Sequence, residues 1–112
     1  MPDVHPQVTD NVAQKRYEVA IGDEVGVLDY RRKEGTIILV HTEVPEAWRG
    51  RGIGTHLARH ALDEARKAGL DVVVRCPFVT SWLKRHREYD DIVVARVVED
   101  GTGTDQPPRG PR

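Results

Sequence analysis

Arg49-Gly50-Arg51-Gly52-Ile53-Gly54 decides how this chain is read. An apolar run, Ile37 to Val40, precedes it, and a helix-patterned segment from Ile53 to about Ala68 follows. Glycine reaches backbone conformations closed to other residues and lets a ligand come close to the main chain. The first amides of a helix have no internal acceptor, and the helix dipole places roughly half a positive charge beside them. A strand, a glycine-rich basic turn and a helix start therefore make an anion cradle suited to a pyrophosphate. Arg49 and Arg51 add charge and bidentate donors.

Hydrophobic periodicity extends the reading in both directions. Tyr17, Val19 and Ile21 alternate with polar or small residues, as in a half-buried strand. Gly22-Asp23-Glu24 is a turn, Val25 to Arg32 a second strand, and Lys33-Glu34-Gly35 the next turn. Thr36 to Val44 is a third strand, more continuously apolar and so more central. Short gaps between these strands imply an antiparallel meander, and Pro45 ends the third because it cannot donate to a ladder. The helix carries an apolar stripe of Ile53, Leu57, Ala61, Leu62 and Ala65, with Arg59, Asp63, Glu64, Arg66 and Lys67 opposite. Asp63 and Lys67 are spaced for an i,i+4 ion pair, and Gly69 is a stop. Val72 to Val74 reads as a buried strand. A short helix follows from about Val79, anchored by Trp82 and Leu83, and Ile92 to Val98 is a last strand.

Composition bounds the function. The 112 residues make one domain, with a core expected over about 14–98, an extended arm over 1–10 and a disordered tail over 100–112. With 17 basic and 18 acidic residues the charge is nearly balanced, which argues against a phosphate-driven nucleic-acid binder despite the basic runs at 31–33 and 84–87. No apolar run approaches the ~20 residues of a membrane span, so no membrane partner is expected. No secretory signal pattern opens the chain, and the lone Cys76 has no partner for an internal disulfide, so a cytoplasmic location is expected. His56 and His60 have metal-ligand spacing. Leu57 stands where a zincin motif needs glutamate, so a solvent-exposed pair is expected and no metal site.

The pyrophosphate ligand is narrowed by elimination. G-x-x-x-x-G-K-[ST] is absent, and G-x-G-x-x-G fails because Gly50, Gly52 and Gly54 run into Thr55, His56 and Leu57. What fits is R-x-x-G-x-G, read as Arg49, Gly52 and Gly54. Two blocks carry a resemblance over about Tyr17 to Val94. One is His41-Thr42-Glu43-Val44-Pro45-Glu46 running into the loop. The other is Cys76-Pro77-Phe78-Val79, Trp82-Leu83, His86 and Glu88-Tyr89. Together they resemble a small single-domain subfamily of the GNAT acetyltransferases. That subfamily has proline where this chain has Arg87.

The resemblance implies an α/β (α+β) GNAT fold: a mixed, mostly antiparallel sheet with one long helix and short helices. It implies acetyl-CoA as cosubstrate, without metal, lying where strands Thr36–Val44 and Asp71–Arg75 splay. Thr42 and Val44 would meet the pantetheine arm through the backbone, and Arg49, Gly50, Arg51, Gly52, Ile53, Gly54 and Thr55 would hold the pyrophosphate. The reaction implied is direct acetyl transfer to a primary amine, on a small molecule or a protein, with the Val44 amide polarising the thioester. Glu43 or His41 is the candidate base. Cys76 is either an acyl relay or a packing residue. The family's usual acid is a tyrosine in the second helix; the register places Leu83 there, and Tyr89 is the alternative. Trp48 is a packing residue or a cover for the cofactor. A non-catalytic acyl-CoA-binding module or sensor is the alternative function, and the chain is expected to act as a monomer or homodimer.

Overall fold

The computed structural model describes residues 7–97 and 104–105. Seven strands form one sheet in chain order: β1 (Val8–Asn11), β2 (Arg16–Ile21), β3 (Glu24–Lys33), β4 (Thr36–Glu43), β5 (Asp71–Val74), β6 (Val93–Val97) and β7 (Thr104–Asp105). β1 to β4 are antiparallel, β5 runs parallel to β4 and β6 parallel to β5, and β7 returns antiparallel. The two parallel steps need crossovers, and these are α1 (Ile53–Ala68) and α2 (Pro77–Leu83). The GNAT architecture implied by the sequence is the one observed.

The core follows from pleat and helix period. Tyr17, Val19, Ile21, Leu28, Tyr30, Ile37, Leu39, Val72 and Val74 are buried strand residues that form one cluster with α1 and α2. α1 contributes Ile53, Leu57, Ala58, Ala61, Leu62 and Ala65, and α2 contributes Val79, Trp82 and Leu83. α1 stops where Gly69 turns left-handed at φ 71 and donates to Ala65 and Arg66 carbonyls.

Several expectations are corrected. The end of the expected arm, Val8 to Asp10, belongs to an edge strand on β2 that runs to Asn11, fastened by a hydrogen bond from the Tyr30 hydroxyl to Asp10. Residues 1–6 lie outside the described residues. The short helix begins at Pro77, two residues early, because proline suits a first helical position that has no amide to satisfy. The last strand begins at Val93; residue 98 and most of the expected tail fall outside the described residues, while Thr104–Asp105 pairs with β6. Asp63 accepts from the Tyr89 hydroxyl at 2.6 Å, so Lys67 pairs with Glu64 instead, at 3.5 Å. His56 is exposed, but His60 is half-buried with its ring edge-on to Tyr17, 5.2 Å between centroids.

Candidate functional site

The site begins with an irregularity in β4. Leu39 pairs with Tyr30 and His41 with Asp29, leaving Val40 as an extra residue. Such a bulge bends its strand and shifts the alternation of faces. Ile37 and Leu39 point into the core before it; Thr42 is half-buried and His41 and Glu43 are exposed after it. β5 matches β4 only from Thr36 to Leu39, and the last link is the Arg75 amide to the Leu39 carbonyl at 2.8 Å. Beyond it β4 continues to Glu43 while the other chain turns at Cys76 into α2. A gap opens there.

That gap is a cleft of about 400 Å³, walled by the end of β4, the loop before α1, the first turn of α1, and Phe78 of α2. The loop is shaped by Gly50 at φ 80 and by Gly52 at φ 83, which stands immediately before the helix. Both are left-handed, where a side chain is strained. The first helical bond is the His56 amide to the Gly52 carbonyl at 3.0 Å, so the amides of Ile53, Gly54 and Thr55 have no acceptor within the helix. No acidic residue occupies that first turn, and Arg66 and Lys67 occupy the last, so the positive end of the dipole is left uncompensated. Residues of this kind fit a pyrophosphate at the helix start and an apolar arm along Val44, Trp48 and Ile53.

Of the residues singled out in the sequence, His41, Thr42, Glu43, Val44, Arg49, Gly50, Ile53 and Gly54 line the cleft. The Arg49 Nε donates to the Val44 carbonyl at 3.3 Å, and the Arg51 guanidinium lies over Trp48, 5.2 Å from the ring centre. His41 Nε2 and Glu43 Oε1 are 3.4 Å apart on the exposed rim. Thr55 turns its hydroxyl away, accepting from the Trp82 indole at 3.2 Å. Cys76 is 1% exposed and lies behind the lining, with Sγ 3.1 Å from the Thr42 hydroxyl. Leu83 is buried in the core, and Tyr89 is buried with its hydroxyl on Asp63; burial first, then that carboxylate, raises the phenol's pKa. Neither lines the cleft.

One lining residue, Phe78, carried no site role in the sequence. It stood in the C-P-F-V block without a function, and its signal was an aromatic beside a proline at a helix start. Trp48 could be placed near the loop by spacing alone, but which way its ring faces depends on the single turn Glu46–Trp48. Among the described residues no group of three or more His, Cys, Asp or Glu side chains could hold a metal, and no helix is long and apolar enough to cross a membrane.

Comparison with known proteins supplies the family and a likeness of fold. The family model for the GCN5-related N-acetyltransferases matches residues 16–92. Protein NATD1 of Xenopus tropicalis is 41% identical over 51 residues, covering 46% of this chain and 47% of that protein. The Homo sapiens protein of that name is 44% identical over 48 residues, covering 43% and 42%. The chain thus spans about half the length of the curated relatives it matches. A solution structure of a GCN5-like protein from Staphylococcus aureus superposes with a TM-score of 0.63 over 78% of this chain and 86% of that one, at 20% identity, a likeness of fold. Matched over most of its length, and with a splayed strand pair facing a glycine-capped helix, the chain belongs to the GCN5-related N-acetyltransferase family.

Proposed function

We propose that this protein transfers an acetyl group from acetyl-CoA directly to a primary amine. The observation that carries the reading is the cleft itself: it joins an uncompensated helix start to an apolar channel along the end of β4 that extends past its pairing with β5. Gly50 and Gly52 bring the backbone to the pyrophosphate, and Arg49 supplies a cation beside it. Val44, Trp48 and Ile53 shelter the pantetheine chain. The amine arrives protonated at neutral pH and must lose that proton before its lone pair attacks the thioester carbon. Glu43, on the rim with His41 at 3.4 Å, takes the proton directly or through water. Attack forms the carbon–nitrogen bond, the carbon–sulfur bond breaks, and the CoA thiolate leaves as the second amine proton passes to it through water. Holding both reactants in one cleft supplies much of the remaining advantage. Cys76 is a packing residue in this scheme, because it is sealed behind Thr42 and direct transfer needs no covalent step.

A binding module without catalysis is the second reading. Its support is that Leu83 is buried at the position of the usual acid and that the Tyr89 hydroxyl is engaged by Asp63 away from the cleft.

Ligand binding is tested by thermal melting, since a ligand that binds only the folded state raises the midpoint. Acetyl-CoA should raise it for the wild type, and Gly52→Asp should abolish the rise by placing a negative side chain at a left-handed position in the cradle. An unchanged wild-type curve at millimolar acetyl-CoA would end the proposal. Release of free thiol across a panel of amines and peptides then separates enzyme from binding module.

A further inference from the structure

Phe78 is the large apolar side chain that the fold leaves at the cleft. α2 buries Val79, Trp82 and Leu83, and Phe78 falls outside that stripe with 41% of its surface exposed. Its ring leans across to α1 with the tip over Gly54. A Cβ on Gly54 would lie 2.6 Å from the ring Cζ and 2.9 Å from Cε2, closer than real Cβ atoms come. Gly54 has no positive φ, so its backbone does not require glycine; the ring does. Seat and ring both line the cleft, with Val44, Trp48 and Ile53 nearby. A half-exposed side chain with no hydrogen-bonding group is free to exchange between the staggered χ1 wells that its backbone allows.

We propose that Phe78 is the movable wall of this cleft: seated on Gly54, it swings aside for the carbon chain of an acyl thioester and then packs on it. This rests on the acyl-CoA reading and adds to it the residue that governs entry. The ring selects an apolar chain because it is hydrocarbon, and each part of its exposed surface that the ligand covers favours binding. Residues 54 and 78 work as a pair, since a side chain at 54 removes the seat.

The chain contains a single phenylalanine, so biosynthetic 2-fluorophenylalanine places one fluorine reporter on this ring, off the tip that meets Gly54. Saturating acetyl-CoA should move the fluorine resonance. In the ligand-free protein, Gly54→Ala should move it toward the position of a solvent-exposed ring. Phe78→Ala should raise the acetyl-CoA association rate severalfold and the dissociation rate by more, and Phe78→Leu should fall between; the exposed position makes both variants tolerable to the fold, as a melting curve checks. A wild-type resonance unmoved by acetyl-CoA, in protein whose melting point acetyl-CoA raises, would overturn the moving wall and leave ligand binding intact. Association rates within twofold of wild type for both variants would overturn it as well. No rise in melting point at all would remove the acyl-CoA reading and this inference with it.

Discussion

Glu43, the proposed base, and Cys76, assigned to packing, have surroundings that differ in kind. Glu43 sits exposed on the cleft rim next to His41. Glu43→Gln keeps its shape and removes its capacity to take a proton. Acetyl-CoA should still raise the melting point of this variant, while steady-state thiol release should fall by on the order of 10²-fold or more; an unchanged rate would pass the role to His41 or to solvent. Cys76 is enclosed, with the Thr42 hydroxyl as its sulfur's neighbour. Cys76→Ala should keep activity and lose a modest amount of stability, and mass spectrometry after brief exposure to acetyl-CoA should find the residue unmodified. A stable acetyl adduct on Cys76, with activity lost in the alanine variant, would replace direct transfer by a relay. The family resemblance put both residues near the proposed reaction and left their accessibility undetermined, since burial comes from elements far apart in the chain.

At the scale of elements, the two helices are coupled through the first turn of α1. The Trp82 indole is buried, and its N–H finds an acceptor in Thr55, in the first turn of α1. Thr55→Val preserves volume and leaves that donor unsatisfied, which costs about 1–3 kcal/mol. We expect a lower melting midpoint with nearly unchanged acetyl-CoA affinity, because the Thr55 amide remains at the helix start; calorimetric titration checks this. A large loss of affinity would return the hydroxyl to the ligand. α1 was legible from its stripe and its flanking glycines. The Val40 bulge was not, because Ile37 to Val40 are all apolar and offer no break in pattern where the alternation shifts.

At the scale of the whole molecule, ion pairs fasten the long helix to the turn before β6 and brace the edge of the sheet. Arg66 in the last turn of α1 makes two hydrogen bonds to Asp91, at 2.7 and 2.9 Å, and that partner lowers the Asp91 pKa from its ordinary 3.8. Arg16, then Asn11, likewise lowers Glu18 from 4.5, joining β1 to β2. A carboxyl held below its unfolded value contributes stability that is complete above that value and is lost as pH falls through the folded one. Stability should therefore decline as pH drops through about 4 and below, and urea melts of Asp91→Asn should show a shallower acid limb than wild type. Identical limbs would mean the pair contributes nothing, as some exposed pairs do.

Local chemistry was enough for the strands of the meander, the long helix and the glycine loop. Alternation, helix period and glycine's left-handed turns act within a few residues, so they can be read in one dimension. The edge strand β1 escaped because it has little apolar alternation and is held by Tyr30 from another strand. Only the tertiary structure decided that the bulge turns Thr42 inward and Glu43 outward, that Cys76 lies behind the lining, and that Phe78 rests on Gly54. These are contacts between residues distant in the chain, set by how helices pack over a bent sheet, and no spacing in the sequence encodes a packing distance.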